Sequence, residues 1–348
     1  MASWGGFQLC ALLVCGAPLG CAVLSGCHQN ETRRTALSEP ATPAAVEPTR
    51  AEANPETVMP VQRSDGVKFA SGGYREVTWH LQGPFGAQPV VVVIPTLADA
   101  QHRLPVLVVF HGRGEALKAP TRGARGFIED YGLLTALQRL EKPPLSRSDF
   151  GGFIAAERLQ SINDSLEARP YQGLIVVCPY LPDILRTENL FSEGKDLADF
   201  IASVVLPKVY AETPALPGSA HTSVDGVSLG GRAALALLAF SPQAFAAAAA
   251  TQPAVDEKEI ARLAALAVLA RRRNPGLRLR LLTSDEDYFL QPTRDLSRAL
   301  HENQVNHQLD QVRGNHSYDF NRGPGVYEML LFADRTLHSK PALHSTER

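Results

Sequence analysis

The chain is 348 residues long, with 45% apolar residues, 20% charged residues and a formal net charge of −2. This composition is ordinary for a globular protein with a large core. The near-neutral charge argues against nucleic acid as a main partner, because binding to phosphates requires a basic face. The length is compatible with one α/β domain, since such folds often use more than ~200 residues as a single unit.

Residues 1–26 are predicted to be a signal peptide. Residues 7–24 are apolar and uncharged, and the small residues near their end favour an export signal over a membrane-spanning helix. The run closes on Leu-Ser-Gly-Cys at residues 24–27, which resembles the bacterial lipobox, where a diacylglycerol is attached to the cysteine. Cys27 is therefore the predicted lipidation site, and we expect an exported protein anchored to a membrane of the cell envelope, periplasmic or at the outer surface. No basic residue precedes the apolar run, and a plain signal peptide or a short anchor is the alternative.

Residues 27–60 are predicted to be a flexible tether that begins at the lipobox cysteine. Five prolines lie among Glu, Thr, Ala and Arg, and such a segment cannot bury enough apolar surface to offset its ordering entropy. Residues 61–348 are predicted to form one folded domain. Cys178 is the one cysteine of this domain and lies in an apolar run, so we expect a buried structural thiol and no disulfide framework.

The domain alternates between short β-rich runs and longer helical patterns. Strands are predicted at 75–81, 89–94, 104–110, 174–177, 223–227, 277–282 and 306–312. Helices are predicted at 131–140, 196–210, 230–240, 256–273, 292–303 and 326–337. Several strands are apolar on both faces, as in parallel sheets covered by helices. The sequence therefore predicts the α/β class: one doubly wound, mostly parallel sheet with helices on both faces and an antiparallel edge formed by the first two strands. Residues 141–172 show little periodicity and are predicted to cross one end of the sheet.

Ligands of such sheets bind beyond the carboxyl ends of the strands. One of these ends carries Gly-Val-Ser-Leu-Gly-Gly at residues 226–231, directly between a predicted strand and a predicted helix. This is the G-x-S-x-G nucleophile elbow in its required context, a turn so tight that positions two residues from the serine must be nearly free of side chain. Ser228 is the predicted nucleophile. The alternative is a glycine-rich turn in which the serine only caps the helix.

Two later strand ends supply an acid and a base. The segment 285–287, Asp-Glu-Asp, follows an apolar strand, where three carboxylates are costly unless one meets a cation or an imidazole. His316 follows the last predicted strand in a loop that also holds Gly314. Because α/β-hydrolases use the order serine, acid, histidine along the chain, His316 is the predicted base and Asp287 or Asp285 its acidic partner.

An oxyanion hole needs two free backbone N–H groups. The turn His-Gly-Arg-Gly at 111–114 follows a central strand, and such turns present free N–H groups. The N–H of Leu229, directly after the nucleophile, is the usual second donor. Arg113 is the predicted first donor, with Gly112 and Gly114 as alternatives, and a simple turn without this role is the remaining interpretation.

Together these turns resemble the esterase D group of the α/β-hydrolases, which includes S-formylglutathione hydrolases and feruloyl-type esterases. The resemblance rests on residues 226–231, on Asp-Tyr-Phe-Leu at 287–290 and on His-Ser-Tyr-Asp-Phe at 316–320, and it covers roughly residues 70–340. In that group the acid precedes an x-Phe-Leu stretch, so the resemblance implies Asp287 rather than Asp285. The oxyanion turn, residues 141–172 and the export segment depart from the group.

The predicted chemistry is two-step acyl transfer from a small-molecule ester to water. No metal or cofactor is expected, since no His, Asp or Cys cluster has ligand spacing. Two other classes stay open: an envelope acyltransferase with the same triad, and a lipid-anchored binding protein that kept the fold without the activity.

Overall fold

The structure, a computed structural model, describes residues 67–70, 73–183 and 190–339. The predicted signal peptide, the predicted lipidation site Cys27 and the tether therefore lie outside the described residues. In the described part of the chain, no helix has both the length and the apolar character needed to cross a bilayer.

The described residues form one nine-stranded sheet. Its strands are β1 (Val67–Ala70), β2 (Tyr74–Gly83), β3 (Gly86–Pro95), β4 (Val106–Phe110), β5 (Ile175–Pro179), β6 (Thr222–Gly226), β7 (Ala247–Thr251), β8 (Arg278–Glu286) and β9 (Gln308–Asn315). The spatial order is β1-β2-β3-β5-β4-β6-β7-β8-β9. The pairs from β1 to β5 are antiparallel, and every neighbouring pair from β5 through β4 to β9 is parallel. The predicted α/β class, with a mostly parallel sheet and an antiparallel edge, is confirmed.

Helices lie between the strands along the chain. They are α1 (Arg113–Ala116), α2 (Pro120–Gly123), α3 (Gly126–Glu129), α4 (Leu133–Leu140), α5 (Ala156–Ala168), α6 (Glu193–Phe200), α7 (Leu206–Glu212), α8 (Leu229–Phe240), α9 (Ile260–Arg273), α10 (Leu290–Glu302), α11 (Tyr318–Phe320) and α12 (Val326–Leu337). A π-helical turn, Ile201–Val205, joins α6 to α7, so this stretch is continuous, as predicted for 196–210.

Each face of the sheet has its own core. Along β3, Val90 and Val92 pack into one core, which α6 to α10 cover, whereas Val91 and Val93 pack into the other, beneath α4, α5 and α12. A strand buried on both faces has no polar face, which explains the uninterrupted apolar runs in the sequence. Cys178 is fully buried in the second core, and burial raises the pKa of its thiol, as expected for an unreactive structural cysteine.

β7 and α5 are the longer elements that the sequence prediction missed, besides β1 and the short helices α1, α2, α3 and α11. β7, with the sequence Ala-Ala-Ala-Ala-Thr, was not predicted, because alanine favours helices and only its burial between β6 and β8 makes it a strand. Residues 141–172 contain the 13-residue helix α5 rather than an aperiodic crossing. Only Ile162 and Leu166 of α5 are buried, so its apolar stripe is too narrow to give a clear helical period.

Candidate active site

Ser228 lies in a sharp turn between β6 and α8. Its backbone angles, φ 56° and ψ −113°, are rare for a residue with a side chain and indicate local strain. The turn closes only because its flanking positions are glycines. A Cβ on Gly230 would lie 1.9 Å from the carbonyl oxygen of Phe110, and one on Gly226 would lie 2.2 Å from the carbonyl oxygen of Gly230. The elbow is thus wedged against the end of β4.

His316 and Asp287 form a hydrogen-bonded pair at the ends of β9 and β8. The Nδ1 atom of His316 lies 2.8 Å from Oδ1 of Asp287, whose carboxylate is fully buried. The same oxygen accepts the N–H of Phe289 at 3.0 Å, and Oδ2 accepts the hydroxyl of Thr283 at 2.9 Å. A carboxylate at Nδ1 holds the proton there and leaves Nε2 of the imidazole as the acceptor, the form that a general base requires.

Asp285 does not contact His316. Its side chain is exposed and accepts the N–H of Gly314 at 2.8 Å, which fixes the start of the histidine loop. Of the two acids left open by the sequence, the structure brings Asp287 to the imidazole.

The predicted oxyanion donors lie at two segments that meet. The N–H of Val227 donates to the carbonyl oxygen of Phe110 at 3.0 Å, which joins the elbow to the end of β4. The N–H of Gly112 already has an acceptor, since it donates to the hydroxyl of Tyr131 at 2.9 Å. The N–H groups of Arg113, Gly114 and Leu229 find no acceptor within the described ranges. Of the three candidates for the first oxyanion donor, Arg113 and Gly114 therefore have an N–H group without an acceptor.

The guanidinium of Arg113 is engaged in a separate ion pair. It makes a two-pronged contact with the carboxylate of Asp183, with N–O distances of 3.0 and 3.1 Å. The charge of the Arg113 side chain is thus paired with a carboxylate at the surface, separately from its backbone N–H.

The hydroxyl of Ser228 makes no hydrogen bond with any described residue. The serine and the His316–Asp287 pair nevertheless lie at the same edge of the sheet. Strands β6, β8 and β9 run parallel, and Ser228, Asp287 and His316 follow their carboxyl ends. In unliganded enzymes the bond between nucleophile and base often tightens only when substrate binds.

The sequence and the fold of the chain are similar to those of known proteins. Residues 186–322, which include Ser228, Asp287 and His316, match the Esterase family model. The fold is similar to that of an S-formylglutathione hydrolase from Staphylococcus aureus (TM-score 0.53, 13% identity, 75% of this chain and 98% of the other). It is also similar to the fluorophosphonate-binding serine hydrolase F of Staphylococcus aureus (0.54, 12%, 75% and 98%). A feruloyl esterase module from Clostridium thermocellum is a third similar structure (0.54, 15%, 77% and 90%).

The protein has an α/β-hydrolase fold. No curated protein sequence matches it significantly. The resemblance to feruloyl esterases and S-formylglutathione hydrolases that the three turns indicated is confirmed by these structural neighbours.

Gln252 is a residue of the candidate site that sequence analysis missed. It follows β7 with a φ of 45°, is fully buried, and its side-chain amide donates to the carbonyl oxygen of Asn315 at 3.0 Å. The carbonyl of the preceding Thr251 accepts the N–H of Ser228 at 3.0 Å. This short segment thus holds both the nucleophile and the loop of His316. No sequence signal pointed to it, because β7 itself was not predicted.

Aromatic rings flank the imidazole of His316 in the candidate site. The ring of Tyr288 lies 4.2 Å from that of His316, centroid to centroid, at an angle of 32°, and Phe289 lies 5.4 Å away at 66°. Tyr288 is 69% exposed, so its other face is open to solvent. A ring in this position stabilises a positively charged imidazole and offers an apolar surface to a substrate.

His111 is a structural histidine despite its place at the oxyanion turn. It is buried, its Nε2 accepts the N–H of Leu181 at 3.0 Å, and its Nδ1 lies 3.0 Å from the carbonyl oxygen of Gly112. Burial lowers the pKa of His111, which keeps the ring neutral. No group of three or more His, Cys, Asp or Glu side chains suited to a metal occurs in the parts of the chain that the structure describes.

Proposed function

We propose that this protein is a serine esterase, which hydrolyses carboxylic esters of small molecules through an acyl-enzyme on Ser228. The observation that carries the proposal is the hydrogen bond between His316 and the buried carboxylate of Asp287, at the same sheet edge as a strained serine elbow. The match of residues 186–322 to the Esterase family, and the fold shared with feruloyl esterases and S-formylglutathione hydrolases, support it.

In the first step His316 accepts the proton of Ser228 through Nε2 while the serine oxygen attacks the ester carbonyl. Asp287 keeps the imidazole in the required tautomer and stabilises its protonated form. The N–H of Leu229, together with that of Arg113, binds the negative oxygen of the tetrahedral intermediate. Each such donor contributes about 3 kcal/mol of transition-state stabilisation.

In the second step His316 gives its proton to the departing alcohol, and the acyl group remains on Ser228. Water then enters, loses a proton to His316 and attacks the acyl-enzyme, which releases the acid and restores the serine. An alcohol that outcompetes water at this point would receive the acyl group, so the hydrolase and the acyltransferase differ only in this acceptor.

The test is labelling of the full chain, purified in detergent, with a fluorophosphonate probe, which reports an activated serine without a guessed substrate. We expect the wild type to be labelled and both Ser228→Ala and His316→Ala to be silent. Ser161→Ala and His301→Ala, at exposed positions on α5 and α10, are matched controls that retain labelling. Active protein is then assayed with p-nitrophenyl acetate, methyl ferulate and S-formylglutathione.

Three results would count against the proposal. Labelling that survives Ser228→Ala would assign the nucleophile to another serine. A folded wild type that is never labelled would support the binding-protein alternative. Acylated alcohol as the dominant product, with an acceptor added at low millimolar concentration, would make the protein an acyltransferase.

We also propose that the mature protein is lipid-anchored through Cys27. The support is the sequence Leu-Ser-Gly-Cys at 24–27 after an uncharged apolar run. Mass spectrometry of the amino-terminal peptide from bacterial membranes is expected to show cleavage before Cys27 and a diacylglycerol on its sulfur. Cys27→Ala is expected to lose the lipid, and an unmodified wild-type peptide would refute the proposal.

A further inference from the structure

Glu115 is a buried carboxylate that directly follows the oxyanion turn, and two tyrosine hydroxyls converge on it. Its Oε1 accepts the hydroxyl of Tyr318 at 2.7 Å, and its Oε2 accepts the hydroxyl of Tyr131. The oxygen of Tyr131 in turn accepts the N–H of Gly112 at 2.9 Å. Tyr318 lies two residues after His316. One carboxylate therefore connects the oxyanion turn to the loop of the base.

Among the described residues, Lys118 is the counter-ion of this carboxylate. Nζ of Lys118 lies 3.6 Å from Oε1 of Glu115 and 2.6 Å from Oδ2 of Asp130, so the lysine is shared between two acids. Only 1% of Glu115 is exposed. A buried carboxylate that lacked its hydrogen bonds would be strongly destabilising, so the two tyrosine hydroxyls and the lysine are what make this position tenable.

Three glycines leave the space that the network occupies. A Cβ on Gly126 would lie 2.4 Å from Cγ of Glu115, and one on Gly114 would lie 2.4 Å from the hydroxyl of Tyr318. A Cβ on Gly112 would lie 3.0 Å from the hydroxyl of Tyr131. Two of these glycines belong to the turn His-Gly-Arg-Gly, which is where the sequence departs from the esterase D group.

We infer that Glu115 is a positioning residue: through Tyr131 and Tyr318 it fixes the oxyanion donors relative to His316. The inference rests on the proposed esterase function. The oxyanion donors must reach the negative oxygen of the same tetrahedral intermediate that Ser228 forms with the help of His316. A displacement of about 1 Å between such groups lowers the rate on the order of 100-fold. The network joins segments 203 residues apart in the chain, from Glu115 to Tyr318, which local structure alone does not hold together.

The experiment compares Tyr318→Phe, Glu115→Gln and the double variant with the wild type. Tyr318→Phe removes one hydroxyl from a residue that is 40% exposed, so the fold is retained. The number of active sites in each sample is counted by fluorophosphonate titration, and kcat is expressed per active site. We expect kcat for p-nitrophenyl acetate to fall on the order of 10-fold in Tyr318→Phe and further in Glu115→Gln, with KM within about twofold.

Two further readouts separate positioning from a merely structural role. Affinity for phenylboronic acid, which forms a tetrahedral adduct with an activated serine, is expected to fall in parallel with kcat. The double variant is expected to lose no more than Glu115→Gln alone, because both changes break the same connection. Tyr210→Phe is the matched control: its hydroxyl bonds Thr222 at 2.6 Å, at the amino end of β6 and away from Ser228, and its kcat is expected to be unchanged.

The inference is overturned if Tyr318→Phe and Glu115→Gln lower thermal stability or the fraction of active sites but leave kcat per site and boronate affinity at wild-type values. It is also overturned if their effects on kcat add fully in the double variant. A wild type that neither reacts with the fluorophosphonate nor hydrolyses any ester refutes the proposed function instead, so the two failures are distinct.

Discussion

Replacement of Asp287 by asparagine tests the acid–base pair, and the structure determines how the new side chain sits. Oδ1 of Asp287 faces two donors, Nδ1–H of His316 and the N–H of Phe289, whereas Oδ2 faces only the hydroxyl of Thr283. An amide nitrogen cannot face two donors, but a hydroxyl can turn and accept. The amide oxygen of Asp287→Asn therefore takes the place of Oδ1, and the imidazole keeps its orientation and its tautomer.

The expected loss is then the loss of one charge. Two unit charges about 4 Å apart attract by about 4 kcal/mol at an effective dielectric constant of about 20. Since each ~1.4 kcal/mol of barrier is tenfold in rate, kcat is expected to fall about 10³-fold. An amide in the opposite orientation would donate to Nδ1 and impose the wrong tautomer, and a loss of about 10⁴-fold would follow.

The assay is kcat with p-nitrophenyl acetate at pH 8, expressed per fluorophosphonate-reactive site. Asp285→Asn is the matched control, because it makes the same substitution on a neighbouring carboxylate that only accepts the N–H of Gly314. Its kcat is expected to stay within a few-fold of the wild type. The reasoning fails if Asp287→Asn keeps more than a tenth of the activity, or if Asp285→Asn is the more damaged of the two.

Three further predictions concern the serine elbow, a buried carboxyl in the sheet and the aromatic ring beside His316. Gly230→Ala would put a methyl group 1.9 Å from a carbonyl oxygen at the end of β4, so urea unfolding is expected to show a loss of more than about 3 kcal/mol. Gly276→Ala, where the nearest atom lies 3.7 Å away, is expected to be nearly neutral, and equal effects would contradict this. Burial raises the pKa of Asp225 from its ordinary 3.8 to about 6, so the folded state favours the protonated carboxyl. The stability that this protonation contributes is present in full below pH 3.8 and is lost as the pH rises through about 6. The unfolding free energy of Asp225→Asn minus that of the wild type is therefore expected to rise by up to about 3 kcal/mol from pH 4 to pH 7, and a constant difference would refute the assignment. Tyr288→Ala is expected to lower kcat about 2- to 5-fold while Tyr288→Phe preserves it, since the ring and not the hydroxyl faces the imidazole; equal losses in both would exclude the ring as the cause.

Strands whose side chains are branched and apolar could be predicted from the sequence because their burial on both faces is visible in composition. The elbow could be predicted as well, because a tight turn places glycines at fixed positions around Ser228. β7 could not, since four alanines carry no strand signal and only the narrow space between the neighbouring strands and α8 selects them. α5 could not, because most of its surface is polar and only two of its side chains are buried.

The choice between Asp285 and Asp287 and the network around Glu115 show a second limit of prediction from the sequence. Asp285 and Asp287 are two positions apart on β8 and its end, and in the sequence only the resemblance to a known group separated them. The bulge between residues 284 and 286 changes the strand register just before Asp287, a backbone detail with no sequence signature. The partners of Glu115 lie 16 and 203 residues away, and contacts at such separation follow from the finished fold rather than from local pattern.

The contact between the serine elbow and the end of β4 also constrains how this protein can evolve. Because Gly230 has no space for even one methyl group beside Phe110, the elbow and the oxyanion turn cannot change shape independently. Among descendants of one ancestor, residues 110–114 and 226–231 are therefore expected to change together or not at all. No atom of residues 141–172 is among those nearest the elbow glycines, so exposed positions in that segment can change without a change in the elbow.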